Sequence, residues 1–345
     1  MQQHGTDRRV EGEGKAPAPG LAEARAPARG HVVRAVVANL VRRRESAIFL
    51  ALVLLMAAIG IIEPNFLSAG NLYQVSRQIS FVAVVAMGEL FVILHGGIDL
   101  SVGSIMCLAG SAAAWAMAHG VPPPIAVLFG CAVGVAMGAI NGALIAWGRI
   151  APFIVTLGML SFGSGLVLGL GQGWPITEIP ESFLPVALGS FLGLPIPVWI
   201  ALVVAGVAHV ALTRTAFGRR TFAMGGNEQA TFLSGINVVR IKFTLYVISA
   251  LCAAMVGIIQ VARYNSAQAD TGTGWELDAI AAAVIGGTAL AGGSGSVLGV
   301  LIGASIMGVI KSGLVFIHVS SYWHKAIIGV IIVLAAVLDR FKRKT

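Results

Sequence analysis

The stretch TRTAFGRRTFAMGGNEQATFLSGINVVRIK at 213–242 is a polar island between long apolar runs. It carries Arg214, Arg219, Arg220, Arg240 and Lys242 against a single acid, Glu228. Positive charge in a short loop between membrane spans resists translocation, so this loop is expected to face the cytoplasm. One inside surface is thereby set midway along a chain that reads as a helical membrane protein.

Composition points the same way. With 57% hydrophobic and 11% charged residues, the 345-residue chain lacks the polar surface that a soluble protein needs. The formal charge of +8 does not indicate nucleic acid. Its basic residues gather at the N-terminus, in the island and in the tail at Arg340, Lys342, Arg343 and Lys344, as membrane orientation requires. Cys107, Cys131 and Cys252 fall in apolar runs and show neither a disulfide framework nor metal-ligand spacing.

Residues 1–45 are rich in Ala, Gly, Pro, Arg and Glu without apolar periodicity, which predicts a disordered cytoplasmic tail and no cleaved signal peptide. The transmembrane domain follows at 46–340, with the cytoplasmic loop 213–242 inside it, and residues 341–345 form a basic cytoplasmic tail. Apolar runs able to cross about 30 Å of hydrocarbon recur near 46–63, 73–95, 99–118, 123–147, 152–171, 196–213, 241–262, 278–291, 296–317 and 322–339. Ten crossings put both termini in the cytoplasm and residues 171–195, whose charges are Glu178 and Glu181, outside. Arg77, Arg263, Lys311 and Lys325 lie near or within spans, where they snorkel or line a polar path. The six tryptophans, at 115, 147, 174, 199, 275 and 323, fall near span ends, as amphipathic rings prefer.

Gly130, Gly134, Gly138 and Gly142 recur every four residues and give one helix face a surface of hydrogen atoms. Another helix can approach closely there, within one subunit or across a dimer seam. The 44 glycines point to closely packed, interrupted helices of a transporter or channel. GGIDLSVGS at 96–104 echoes GGTALAGGS at 286–294, with five matches in nine. Glycine-interrupted segments in corresponding halves are the mark of a pathway built on broken or re-entrant helices and an internal repeat.

Catalytic and nucleotide-binding motifs are missing from the sequence. There is no G-x-x-x-x-G-K-[ST] loop, no G-x-S-x-G elbow and no H-E-x-x-H spacing, so neither ATP hydrolysis nor a metal or organic cofactor is assigned to this chain. Polar groups inside a membrane are costly and mark candidate pathways. They are Glu89 in AMGELFVIL, Asp99 and Ser101 after the glycine pair, and Asn141 beside the glycine face. Glu89 also suits an ion pair with Lys325 or Lys311, and Asp99 suits the N-cap of the next helix. A proton-coupled secondary transporter using Glu89 or Asp99 is the principal rival class; an intramembrane enzyme is another, though no nucleophile is nominated.

GGIDLSVGS (96–104), PFIVTLGML (152–160), FAMGGNEQATFLSGINVVRIK (222–242) and ELDAIAAAVIGGTALAGGSGSVLGVLIGA (276–304) stand in this order. Together they resemble the permease subunit of ribose-type monosaccharide ABC importers, from about residue 70 to 340. The resemblance implies an all-α polytopic subunit of a bacterial inner membrane without catalytic residues. It implies three protein partners: a cytoplasmic ABC ATPase, a periplasmic or lipid-anchored sugar-binding protein, and a second permease in a homo- or heterodimer. By similarity, Gly225, Gly226, Asn227, Glu228, Ser234 and Gly235 form the segment that docks on the ATPase. A positive-φ turn at Gly226 is expected to lead into a short helix capped by Asn227 and ended by Ser234 and Gly235. Glu89 and His95 stand where the family pattern has neutral residues, which leaves an aldose, a polyol and a signalling furanose all open as substrates.

Overall fold

A computed structural model describes residues 44–342. The expected tail at 1–45 lies outside these residues except for Arg44 and Glu45, which open the first helix. The elements are α1 (Arg44–Ile62), α2 (Ala69–Leu94), α3 (Val102–Ala118), α4 (Pro123–Ala146), α5 (Pro152–Gly171), α6 (Pro185–Leu188), α7 (Ile196–Arg214), α8 (Ala216–Gly226), α9 (Glu228–Leu233), α10 (Val238–Tyr264), α11 (Trp275–Ile285), α12 (Val297–Phe316) and α13 (Ser321–Lys342). Each of the ten apolar runs overlaps one helix, but the run at 278–291 extends six residues past the end of α11 into irregular chain. Among the described residues, seven helices are long and apolar enough to cross a membrane, namely α1, α2, α4, α5, α7, α10 and α12. The 17-residue α3 and the 11-residue α11 are shorter. Because α13 runs to Lys342, the expected tail boundary at 341 falls inside a helix.

Helices α2 and α10 form the centre. In their most apolar windows 89% and 78% of residues are buried inside the protein, against 17% to 28% in α1, α4, α5 and α7. A helix apolar all round belongs either in a core or against lipid, and burial sorts these two groups. The glycine face of α4 packs within the subunit. A Cβ on Gly134 would stand 2.5 Å from the Ala254 Cβ of α10, one on Gly130 would stand 2.6 Å from the Ala109 carbonyl oxygen of α3, and one on Gly142 would stand 2.9 Å from the Phe243 carbonyl oxygen. Glycine is what lets these backbones approach.

The loop at 172–195 holds the small amount of strand. Ser190–Phe191 (β1) pairs antiparallel with Leu194–Pro195 (β2) through a turn in which Leu192 (φ 49°) and Gly193 (φ 79°) are both left-handed, the two-residue hairpin geometry that matches strand twist. The Trp199 indole donates to the Phe191 carbonyl at 3.0 Å and ties this hairpin to α7.

The internal echo has a structural counterpart, shifted by one residue. At the end of α2 the Gly96 N–H donates to the Ile93 carbonyl (2.8 Å) and the Gly97 N–H to the Val92 carbonyl (3.2 Å), with Gly96 at φ 85°. At the end of α11 the Gly287 N–H donates to Val284 (2.8 Å) and the Thr288 N–H to Ala283 (2.9 Å), with Gly287 at φ 89°. Both are the same left-handed glycine closure of a helix. Gly96 therefore corresponds to Gly287, not to Gly286 as the sequence alignment places it. After each closure the chain runs through an irregular segment to a serine, Ser101 or Ser296, that precedes the next helix.

Candidate functional site

The four intramembrane polar residues singled out by sequence gather at the α2–α3 interruption. Glu89, Asp99, Ser101 and Asn141 are all fully buried. The Asp99 N–H donates to Glu89 Oε1 at 3.1 Å. Asp99 Oδ1 accepts from the Ser101 N–H (3.0 Å) and from the Ser101 hydroxyl, whose oxygen in turn accepts from Asn141 Nδ2 at 2.8 Å. Asp99 Oδ2 accepts from the Ser249 hydroxyl of α10 at 2.9 Å. One carboxylate thus binds the irregular segment to α10 and, through Ser101, to α4. Ser101, not Asp99, is the residue that precedes α3. Asp99 holds the turn before it, because its side chain accepts the N–H two residues on, a common way for aspartate to organise a turn.

Among the described residues Glu89 pairs with no lysine. Lys311 instead pairs with Asp278 on α11, and the Lys325 side chain lies outside the described residues. Glu89 Oε2, Asn141 Oδ1, His95 Nε2 and the Tyr246 hydroxyl are buried without a hydrogen-bond partner among the described residues. His95, at the end of α2, sets its ring edge-on to Tyr246 with centroids 5.6 Å apart. Ser249 and Tyr246 carry no sequence signal of their own, since single polar residues within a 27-residue apolar helix follow no period.

The island folds as two short helices. Thr215 caps α8 by accepting from the Gly218 N–H (3.3 Å). Helix α8 lays Thr221 and Met224 inward and sets Phe217 6.3 Å from Phe91 of α2. Asn227 caps α9, its Oδ1 accepting from the Ala230 N–H at 2.9 Å. Ser234 follows the last residue of α9, and Gly235 takes φ 78° in the turn beyond. Asn237 then caps α10 by accepting from the Arg240 N–H at 3.0 Å. Glu228, the one acid, pairs with Lys242 at 2.7 Å and ties α9 to α10. On the outer face, Phe232 is 62% and Leu233 80% exposed, with Arg219, Arg220 and Arg240 exposed nearby in sequence.

The expectation for Gly226 is corrected. Gly226 is the last helical residue of α8 and not a positive-φ turn, and a Cβ there would meet nothing within 4 Å. The constrained position is Gly225. Its Cα lies so close to the Leu94 carbonyl oxygen and the Gly293 amide nitrogen that a side chain would overlap both. The Gly293 N–H donates to that same Leu94 carbonyl at 2.9 Å. Three backbones therefore meet at one point: the end of α2, the irregular segment after α11, and the end of the island helix α8. The pairs Gly225-Gly226 and Gly292-Gly293 are both visible in the sequence without their contact, because packing against Gly293 and Leu94, 68 and 131 residues away from Gly225, leaves no local trace.

A bundle with a central helix pair, two glycine-closed interruptions and a polar two-helix loop locked onto both defines a transport permease rather than a membrane anchor. The chain belongs to the family described as the permease component of the branched-chain amino acid transport system, which matches residues 71–336. It is 44% identical over 303 residues to the ribose import permease protein of Escherichia coli (strain K12), covering 87% of this chain and 94% of that one. It is 42% identical over 296 residues to the ribose import permease protein of Bacillus subtilis (strain 168), covering 85% and 92%. The D-allose transport system permease protein of Escherichia coli (strain K12) is 38% identical over 298 residues, covering 86% and 91%. No solved structure matches.

Proposed function

We propose that this chain is the membrane subunit of an ATP-driven importer of a small neutral sugar, working as a dimer and without catalytic residues of its own. In this reading both termini and the island face the cytoplasm, a cytoplasmic ATPase grips the island, and an external binding protein delivers the sugar. The observation that carries it is the backbone junction at Gly225. A rigid-body push on α8 acts directly on Leu94 and Gly293, which belong to the two helix interruptions, so movement at the docking face reaches both halves of the bundle without an intervening flexible link. The exposed Phe232 and Leu233 supply apolar anchors in an otherwise basic loop, a pairing that suits a protein partner better than water. The sugar class follows the relatives named above.

The discriminating experiment is uptake by proteoliposomes. Sugar uptake should require the ATPase, ATP and binding protein, and uptake on a proton gradient alone would replace this reading with a secondary transporter built on Glu89 or Asp99. A smaller test concerns the α9 cap. Asn227→Ala removes the acceptor of the Ala230 N–H, at a cost of about 1 kcal/mol to a helix end. That is roughly a fivefold loss in the population of the formed α9. More ATP should be hydrolysed per sugar imported, and Asn227→Ser should restore the ratio.

A further inference from the structure

At the end of α10 remote from the island lies a second polar feature that the coupling site does not use. Helix α10 has 27 residues, about 40 Å at 1.5 Å per residue. The island adjoins its first turn and Arg263 its last. There the first turns of α2, the start of α11, the C-terminal part of α12 and the start of α13 enclose a cavity of about 840 Å³. This falls within the range of about 300–1,000 Å³ usual for small-ligand sites.

Its lining is polar for a membrane bundle, and the formal charges of the described lining residues balance. Arg263 and Lys311 face Glu276 and Asp278, a formal sum of zero. The Arg263 guanidinium donates to Gln78 Oε1 at 2.7 Å. Lys311 pairs with Asp278 and lies 5.7 Å from the centroid of the Trp275 ring. The Ser312 hydroxyl donates to Asn71 Oδ1 at 3.3 Å, and Gln74 lies exposed on the same wall.

We propose that this chamber holds a neutral polyhydroxylated molecule, a monosaccharide or polyol, before it crosses the bundle. A zwitterionic amino acid would call for an unengaged cation and anion side by side, whereas Lys311 and Asp278 are paired with each other and Arg263 is turned to Gln78. Hydroxyl groups need adjacent donors and acceptors. Asn71 is spent on Phe66 and Ser312, but the Gln74 and Gln78 amide oxygens each take one bond, from Arg77 and Arg263, which leaves each oxygen a second lone pair and, among the described residues, each amide nitrogen its donors. Trp275 adds a broad apolar ring of the kind that lines small-molecule sites. This proposal deepens the reading above and rests on it.

The test uses the complete complex of permease, ATPase and binding protein in proteoliposomes, with D-ribose, D-allose, xylitol and leucine as probes. Ser312→Cys and, separately, Gln74→Cys are labelled from outside with a membrane-impermeant thiol reagent, with the wild type giving the background of Cys107, Cys131 and Cys252. The imported polyol should slow labelling by one plus the ratio of its concentration to Kd, about tenfold at ten times Kd, while leucine leaves the rate unchanged. If the complex imports a sugar but neither cysteine is protected by it, the chamber proposal falls and the importer reading stands. If leucine is the solute imported and protects both cysteines, both readings fall together.

Discussion

Gly225→Val should insert and assemble yet lose ATP-driven uptake, while Gly226→Val, one residue on, should transport nearly as the wild type does. At Gly225 a side chain collides with backbone on two sides, the Leu94 carbonyl and the Gly293 amide. Neither can swing away as a flexible side chain would, because the Gly293 N–H and the Leu94 carbonyl are already bonded to each other at 2.9 Å. Overpacking a fitted contact costs about 1–3 kcal/mol and occasionally more. That is a factor of roughly 5–150 in the population of the docked arrangement. Gly226 has open space around it and helical backbone, so valine there replaces a poor helix former at no steric cost. The pair should be read by three measurements: yield of monodisperse complex, ATP hydrolysis, and sugar uptake. Valine at 225 is expected to preserve the first, leave hydrolysis running and depress uptake at least as far as that population factor. Equal uptake by the two variants would remove the junction from the coupling path and leave the island as a solvated basic loop.

The island also marks how far the sequence was legible. Its cationic excess and the capping pattern around Asn227 are local signals, and α9 with its cap follows from a side chain three residues from the N–H it satisfies; helix α8, capped by Thr215, is absent from the sequence expectation. The ten apolar runs were readable for the same reason, since length and hydropathy are properties of a single segment. Gly226 was misplaced because a GG pair does not say which glycine is needed, nor whether the need is for positive φ or for close approach. Here it is close approach, at Gly225, and the partners lie in segments distant in sequence. The charged residues that fitted no simple topology show the same limit. Arg263 finds Gln78 across 185 residues, and Lys311 finds Asp278 across 33. The one-residue shift in the echo, Gly96 onto Gly287, also arises from three-dimensional closure of the helix end; letter matching favoured the neighbouring frame.

Asp99→Ala should be the most damaging single change in the membrane interior, and Asp99→Asn a mild one. Alanine removes the acceptor of three donors in a fully buried site: the Ser101 N–H, the Ser101 hydroxyl and the Ser249 hydroxyl. The hydroxyls can rotate toward other acceptors, but the Ser101 N–H is fixed by the turn that precedes α3. A buried donor left without a partner costs about 1–3 kcal/mol, and the loss also frees Ser101 from the frame that presents it to Asn141. Release of the irregular segment from α10 and α4 together should lower the thermal midpoint of the purified complex and reduce its yield. Asparagine keeps Oδ1 for both Ser101 donors, and its amide nitrogen faces a Ser249 hydroxyl that can turn to accept. The same pair separates the two transport classes. If the carboxylate holds the bundle together, Asp99→Asn retains ATP-driven uptake while Asp99→Ala loses both stability and uptake. If Asp99 carries a proton as the coupling ion of a secondary transporter, asparagine leaves the complex stable and abolishes uptake, because an amide does not ionise. A stable, inactive Asp99→Asn variant would therefore overturn the structural role assigned to this carboxylate, and a stable, active one would remove it from any proton path.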